Sequence, residues 1–203
     1  MLNETTILIF SLLIATVLSA QDKKLDSEAS KFQNKLNKDY SSNEDSPLTE
    51  EDLKTFTKLD FFPIDTAFRV TAKLKFHKDS KPFKMATTTD RLPVYKLYAT
   101  ATFTIKGKEF QLEIYQNEKL TLSPDYNDHL FLPFTDNTNG ETSYGGGRYI
   151  DLNIPEADQI IIDFNQAYNP YCAYNNKYSC PIPPKVNHLD TDIKAGVMAY
   201  IKH

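Results

Sequence analysis

A strict alternation of apolar and polar side chains constrains the fold of this chain more than any other feature. From Phe68 to Phe76 every second residue is apolar, and the residues between are arginine, threonine or lysine. A repeat of two residues places each set of side chains on one face of a β-strand. The pattern recurs from Tyr95 to Ile105 and from Phe110 to Ile114, on either side of the turn sequence Lys106-Gly107-Lys108. We predict that these two segments form a β-hairpin.

Further short strands are predicted along the rest of the chain. They cover residues 130–134, 148–152, 159–165 and 192–201, with a weaker candidate at 83–88. No long helical pattern separates them, so sequential strands are expected to pair in antiparallel fashion. The predicted fold class is therefore mainly β, an antiparallel β-sandwich or barrel with one or two short N-terminal helices; strand spacing favours neither closure over the other.

The N-terminal residues indicate export. Residues 2–20 are largely apolar and end in Leu18-Ser19-Ala20, small residues of the kind that signal peptidase accepts. We predict a signal peptide over 1–20, cleaved near Ala20, and a secreted or periplasmic protein. Because the first residues carry Glu4 and no lysine or arginine, a retained N-terminal anchor is the alternative. No later apolar run approaches the roughly 18 residues that a membrane span needs.

A polar helix and linker are predicted over residues 21–46, followed by a single β-rich domain over 47–203. One narrow apolar stripe marks the helix, at positions Leu25, Ala29, Phe32 and Leu36. Thr49 is predicted to cap a second, short helix, with Asp52 at its third position. The stretch between them is rich in serine and acid, as linkers commonly are.

Charge and histidine placement argue against several classes of partner. The net charge is only −4 and both signs are interspersed along the chain, so we expect neither a nucleic-acid surface nor a polybasic membrane patch. The four histidines lie far apart in the sequence, without the spacing of metal ligands. We predict no metal site, and the sequence indicates neither a cofactor nor an oligomeric state.

The most distinctive residues are concentrated between Tyr144 and Pro184. Gly145-Gly146-Gly147 lacks the lysine of a Walker loop and the spaced glycines of a dinucleotide fingerprint. It favours a turn or bulge that orients Arg148, with close approach of a ligand as the alternative. Arg148 suits a carboxylate or phosphate, and its predicted internal partner is Asp163. A buried ion pair, an anion site in a cleft and a solvated surface are the three interpretations of that pair.

Two tight turns are predicted at Tyr168-Asn169-Pro170 and Tyr174-Asn175-Asn176, because asparagine and proline favour turn geometry. Their tyrosines are alternatively the walls of a binding pocket. The residues predicted to contact a ligand are Gly146, Gly147, Arg148, Asp163, Asn165, Tyr168, Asn169 and Tyr174.

Cys172 and Cys180 are the two cysteines of the chain. In a secreted protein, two cysteines this close in sequence most simply form a disulfide, and we predict that bond here. The alternatives are a redox-active or nucleophilic cysteine, a metal ligand, and two unpaired thiols in the core.

A series of ordered motifs supports a family resemblance. They are Ser46-Pro47-Leu48-Thr49-Glu50-Glu51, Phe61-Phe62-Pro63-Ile64-Asp65, Pro133-Phe134-Thr135-Asp136 with Gly140 and Tyr144, Gly146 to Asp151, Ile162 to Pro170, Cys172-Ala173-Tyr174, Ser179-Cys180-Pro181 and Ile193 to Gly196. From about Ser30 to Gly196, the chain resembles the bacterial family catalogued as domain of unknown function 1684. That resemblance implies no reaction, substrate or cofactor. The family usually has Ala-Gly-Glu near its end, where this chain has Val197 in place of the acid, so an activity that needs this acid would be altered or lost here.

The sequence-based hypothesis is a secreted or periplasmic protein that binds a small or extended ligand at a rigid C-terminal loop. In that hypothesis Arg148 holds a negative group of the ligand, while the tyrosines supply walls. One alternative is a hydrolase-like enzyme that uses Asp163 as a base or Cys172 as a nucleophile. The other is a protein-interaction module. Whether the protein is an enzyme at all is not decided by these residues.

Overall fold

The computed structural model describes residues 27–201, and two α-helices open that part of the chain. Helix α1 covers residues 27–40, and helix α2 covers Glu50–Thr55. The side chain of Thr49 accepts a hydrogen bond from the Asp52 amide at 3.1 Å, which confirms the predicted cap. The predicted signal peptide and Leu25 lie outside the described residues.

The predicted apolar stripe of α1 faces the body of the protein. Ala29 is buried, and Phe32 and Leu36 are half-buried on the same side of the helix. Polar contacts fix the helix further: the Asn37 side chain accepts from the Leu59 amide at 2.7 Å, and Gln33 donates to the Asn165 carbonyl at 3.2 Å. Helix α1 is thus packed against the body of the protein.

Within residues 27–201, eight strands form one curved sheet. The strands are β1 Arg69–Phe76, β2 Phe83–Lys84, β3 Val94–Ile105, β4 Lys108–Asn117, β5 His129–Asp136, β6 Arg148–Asn153, β7 Gln159–Asp163 and β8 His188–Leu189. The main order is β6-β5-β4-β3-β1-β7; β2 pairs with β3, and β8 pairs with β5. All pairs are antiparallel except β5 with β8. The mainly β prediction is confirmed, and the sheet takes the form of a half-barrel.

Strands β3 and β4 form the predicted hairpin. Ile105 pairs with Lys108 across a turn whose two central residues, Lys106 and Gly107, have φ angles of 49° and 81°. Positive φ at both positions is typical of the type I′ turn, whose twist matches that of the flanking strands. The loop therefore fixes the register that the alternating pattern requires.

One face of the sheet carries the main hydrophobic core. Its members come from β1, β3, β4, β5, β6 and β7, and include Leu74, Phe103, Leu112, Leu132, Ile150 and Ile162. Side chains at alternate positions along each strand reach this core, as a period of two requires. The residues between them lie on the opposite face.

A β-bulge in β3 moves part of that strand from one face to the other. Leu97 pairs with Tyr115, but Ala99 pairs with Ile114, so Tyr98 is an extra residue in the ladder. Residues after the bulge, such as Ala99, enter the main core. Tyr95, before the bulge, lies on the opposite face.

That opposite face carries a second, aromatic-rich cluster. Its buried members are Met85, Tyr95, Tyr115, Phe131 and Tyr149. In the β5–β6 pair, Phe131 lies opposite Asp151 and Pro133 lies opposite Tyr149, so Asp151 shares this face with the aromatic residues. The candidate functional site forms here.

Three of the strand predictions require correction. Residues 192–201 do not form a strand: within the described chain this segment has a single isolated bridge, Val197 to Phe61. The candidate at 83–88 is reduced to the two residues of β2. Strand β7 ends at Asp163, whose side chain caps the 3₁₀ turn Phe164–Gln166. None of the helices between residues 27 and 201 has the length and apolar content that crossing a membrane demands.

Candidate functional site

Arg148 is a buried structural residue, which corrects its predicted role as an anion receptor. Its side chain is 0 % exposed and lies 2.8 Å from the Asp136 carboxylate. The guanidinium also donates to the backbone carbonyls of Ile193, at 2.8 Å, Ala195, at 2.5 Å, and Val197, at 3.3 Å. With these partners in place, no anion from solvent can reach it.

The Arg148–Asp136 pair holds the C-terminal segment on the sheet. Asp136 accepts further bonds from the Thr138 amide, the Thr138 hydroxyl and the Ile193 amide. A buried ion pair is best tolerated when its remaining polar atoms are also bonded. Both Asp136 oxygens and both terminal nitrogens of Arg148 are bonded here, whereas Arg148 Nε has no partner among the described residues. Arg148 bonds the carbonyls of Ile193, Ala195 and Val197, so these three groups have a partner although the predicted strand is absent.

Asp163 pairs with Arg69, not with Arg148 as predicted. The two residues lie opposite each other in the β1–β7 ladder, with Arg69 Nε 3.6 Å from the carboxylate. Asp163 also accepts from the amide and the side chain of Asn165. Asn165 in turn exchanges two hydrogen bonds with the backbone of Asp65. Both predicted ligand contacts are thus buried structural residues, and Asp163 is not placed to act as a base.

Asn169 and Tyr174 are also interior residues, so their predicted contact with a ligand is corrected in the same way. Asn169 donates to the Met198 carbonyl at 2.9 Å. Tyr174 packs edge to face on Tyr40, with ring centroids 4.9 Å apart. Val197 lies in the same buried cluster, so at the position where the family usually has an acid, this chain has a core residue.

The glycine run forms a turn. Gly147 has a φ of 87°, and a Cβ atom there would lie 2.6 Å from the Phe134 carbonyl oxygen. At Gly146 a Cβ would collide with the ring of Tyr144. Both glycines therefore allow the chain to approach itself closely, which matches the turn interpretation rather than contact with a ligand.

A cleft of about 490 Å³ lies between helix α1 and the aromatic face of the sheet. Small-molecule sites commonly measure roughly 300–1,000 Å³. Its lining residues are Phe32, Lys35, Leu36, Asp39, Tyr95, His129, Phe131, Tyr149, Asp151, Tyr168, Pro170, Tyr171, Tyr178, Ser179, Cys180 and Pro181. We call it the aromatic cleft. Of the residues predicted to contact a ligand, Tyr168 alone is among those that line it.

The polar end of the aromatic cleft is built around Asp151. Tyr168 donates its hydroxyl to one carboxylate oxygen at 2.8 Å, and His129 Nε2 lies 2.9 Å from the other. The Asp151 side chain is nevertheless 50 % exposed. On the helix side, Lys35 pairs with Asp39 at 2.6 Å, so the two charges that α1 contributes to the lining are paired with each other.

Three tyrosines of the cleft, Tyr149, Tyr168 and Tyr171, have raised pKa values and are protonated at neutral pH. Burial raises the pKa of Tyr168 well above its ordinary value, and the nearby Asp151 carboxylate raises it further. Burial also raises the pKa of Tyr149 and Tyr171. Tyr149 donates its hydroxyl to the Pro181 carbonyl, which attaches the C-terminal loop to β6. The phenols of these three tyrosines therefore keep their protons and can donate hydrogen bonds.

Cys172 and Cys180 are free thiols in the structure, so the predicted disulfide is not present in it. The two residues are adjacent nonetheless: the Cys172 amide lies 3.2 Å from Cys180 Sγ. Tyr144 Oη lies 3.8 Å from Cys172 Sγ. Cys180 is among the residues that line the aromatic cleft, whereas Cys172 is half-buried and is not among them. Within residues 27–201, no group of three or more histidine, cysteine or acidic side chains is arranged to hold a metal.

Most residues of the aromatic cleft were not predicted from the sequence. His129 and Asp151 come from adjacent strands. Tyr171 and Tyr178 come from residues 171–180, which contain both cysteines and are called the cysteine loop here. One signal was present: in β6, Tyr149 and Asp151 alternate with the apolar residues Ile150 and Leu152, so the two side chains lie on the same face of the strand, opposite the apolar ones.

Comparisons with known proteins agree with the fold and leave the function open. The solution NMR structure of an uncharacterised protein from Haloarcula marismortui is 31% identical, with a TM-score of 0.70. The match covers 91% of this chain and 99% of that one. No curated protein matches the chain. The model for proteins of unknown function called DUF1684 matches residues 54–198, well over half of the sequence. The chain therefore belongs to the DUF1684 family.

Proposed function

We propose that this protein binds a small organic molecule in the aromatic cleft. The observation that carries the proposal is the half-exposed carboxylate of Asp151 at the base of a cleft walled by tyrosine and phenylalanine rings. Sites of this kind combine apolar walls with a few oriented polar groups. The Tyr168 and His129 contacts hold the Asp151 carboxylate in one orientation, so it is ready to accept a hydrogen bond.

The chemistry of the cleft favours an organic cation. Aromatic faces attract positive charge, and Asp151 adds a full negative charge. Lys35, the lysine of the lining, is neutralised by Asp39. We therefore replace the anionic ligand predicted from the sequence with a ligand that carries a protonated or quaternary amine beside a ring or an apolar group.

Three probes of matched size test this proposal. Benzyltrimethylammonium is the cationic probe, benzyl alcohol the neutral one and benzoate the anionic one. Binding is measured by NMR chemical-shift changes on the full chain. We expect shifts with the cation, centred on Asp151, Tyr168 and Tyr171, and much weaker shifts with the other two probes.

Variants then assign the binding to the aromatic cleft. Asp151→Asn removes the charge and keeps the shape, and should weaken cation binding on the order of tenfold, as a lost charge contact does. Glu156→Gln is the control, because Glu156 is an exposed carboxylate that does not line the cleft. Equal binding of the cation by Asp151→Asn and wild type, or preference for benzoate, would overturn the proposal.

Export to the periplasm or the medium is a second part of the proposal. It depends on the apolar residues 2–20 and the small residues that end at Ala20. Mass spectrometry of the protein from separated cell fractions should find a mature chain that begins near Gln21, outside the cytoplasm. A cytoplasmic protein that retains residues 1–20 would contradict it.

A further inference from the structure

The cysteine pair has a chemistry that the binding proposal does not use. We propose that Cys172 and Cys180 form a reversible dithiol–disulfide site that exchanges with low-molecular-weight disulfides. Cys172 is the attacking thiol and Cys180 the resolving thiol. This inference is independent of the organic-cation proposal, because it needs the two sulfur atoms and their access to solvent, and no ligand in the aromatic cleft.

Cys172 and Cys180 lie side by side in the structure. The backbone N–H of Cys172 donates to Cys180 Sγ at 3.2 Å, which holds the Cys180 side chain against the Cys172 backbone. Cys172 is the middle residue of the short 3₁₀ segment Tyr171–Ala173. The seven residues that follow it return the chain to Cys180. The loop therefore brings the thiols together without a covalent bond.

The backbone around Cys180 is held in place by the neighbouring segment 86–88. The Cys180 amide donates to the Thr88 hydroxyl at 3.1 Å, and the Thr88 amide donates to the Cys180 carbonyl at 2.9 Å. Two residues later, the Ile182 amide donates to the Ala86 carbonyl. Because this part of the backbone is bonded on both sides of Cys180, its sulfur is a fixed target for a thiol on the neighbouring turn.

The two thiols differ in burial and in pKa. Cys172 is half-buried, whereas Cys180 is buried, so a disulfide from solvent meets Cys172 first. A hydrogen bond from Cys180 lowers the pKa of Cys172 to about 6, and the Tyr144 hydroxyl contributes in the same direction. The same interaction raises the pKa of Cys180. At neutral pH one sulfur is a thiolate, the nucleophilic form, and the other keeps its proton.

The exchange balances in two steps. The Cys172 thiolate attacks one sulfur of a disulfide RSSR, which forms a Cys172–SR bond and releases RS⁻. Cys180 then loses its proton and attacks Cys172 Sγ, which forms the Cys172–Cys180 bond and releases the second RS⁻. Two protein thiols are oxidised and one external disulfide is reduced to two thiols.

The test uses the full chain, reduced, freed of reductant under argon, and treated with oxidised glutathione. Samples are quenched with acid, alkylated with iodoacetamide and weighed by mass spectrometry. Wild type should lose two hydrogens, carry no adduct and release two glutathione thiols. Cys180→Ser should instead retain one glutathione, mapped to Cys172 by peptide analysis. Cys172→Ser should react more slowly by on the order of tenfold, since attack needs an accessible thiolate.

Three results would overturn the inference: wild type with both thiols still free after treatment, wild type that stops at a glutathione adduct, or an adduct that forms on Cys180 as fast as on Cys172. The wild-type measurement alone decides the first two, so the inference stays testable if a serine variant fails to fold. Circular dichroism of each variant identifies that case, and an alanine variant then replaces it.

Discussion

Replacement of Arg148 by methionine should destabilise this protein severely. Methionine has a similar length and no charge, so the change removes the donors and keeps most of the packing. Asp136 would then be a buried carboxylate with no cation beside it. The carbonyls of Ile193, Ala195 and Val197 would lose their shared donor.

The size of the effect follows from the burial of the pair. Breaking a fully buried ion pair from one side costs about 3–5 kcal/mol, because the remaining charge has no compensation. For a domain of this size, each kcal/mol lowers Tm by about 2–4 °C. We therefore expect Tm to fall by about 6–20 °C. Asp136 keeps its bonds from Thr138 and Ile193, so a folded state should still be populated.

Urea unfolding, followed by far-UV circular dichroism, measures the free energy of unfolding. Asp136→Asn and the double variant complete a thermodynamic cycle with Arg148→Met. The double variant should lose less than the sum of the single losses, by about 1–3 kcal/mol, because the two side chains interact directly. Lys96→Met is the control: Lys96 pairs with Glu118 at the surface, at 2.8 Å, and exposed pairs contribute at most about 1 kcal/mol.

A loss near 1 kcal/mol in Arg148→Met, equal to that of the control, would refute the structural role. Additive losses in the cycle would show that the Arg148–Asp136 contact does not stabilise the fold. Either result would reopen the sequence-based interpretation of Arg148 as a ligand-binding residue.

Three further predictions test other parts of the structure. Gly196→Ala should lower the free energy of unfolding in urea by about 2–5 kcal/mol, because strain at its φ of 76° adds to a Cβ contact of 2.6 Å with a backbone oxygen. Gly107→Ala is the control: Gly107 has a φ of 81° and open space around it, so the loss should be only about 1–2 kcal/mol. Asn187→Leu should cost about 2–4 kcal/mol, because its buried amide bonds the backbone of Glu113 on β4 and of Pro133 on β5. The rate of iodoacetamide alkylation of the wild type should rise through pH 6 and then level off, as the lowered pKa of Cys172 requires; a midpoint near 9 would contradict the shift.

The Asn187 side chain joins β4 and β5 in a way that an alternating sequence pattern cannot indicate. Strands β4 and β5 pair at a single position, Tyr115 with Phe131. Pro133 has no backbone N–H to extend the ladder. The Asn187 side chain, from a distant turn, bonds β4 and β5 in its place. A side chain that substitutes for a missing backbone pair carries no local signal in the sequence.

Much of the fold could nonetheless be predicted from local patterns. Alternation located β1 and the β3–β4 hairpin, since a strand's faces depend on the order of its own residues. The further predicted strands located β5, β6 and β7 approximately. Thr49 was identifiable as a cap for the same local reason. The glycine run was correctly interpreted as a turn, because the positive φ of Gly147 is a property of the backbone there.

The candidate site was harder to predict, because its residues meet only through tertiary contacts. Arg148 and Asp163 carry opposite charges, and the sequence-based prediction paired them for that reason. Their true partners, Asp136 and Arg69, are set by which strands lie side by side. Burial is decided in the same way: a charged side chain enters the interior when a compensating partner is brought to it, and no local pattern contains that partner.

The sequence by itself determined a mainly β domain, its hairpin and the concentration of unusual residues between Tyr144 and Pro184. Only the tertiary structure decided what those residues do. The bulge at Tyr98 transfers Tyr95 to the second face of the sheet, where β5, β6, helix α1 and the cysteine loop meet. A bulge exists only where a strand pairs with a neighbour, and it moves the residues before it to the other face of the sheet. Because paired strands can be distant in the chain, the aromatic cleft forms only once the sheet has assembled.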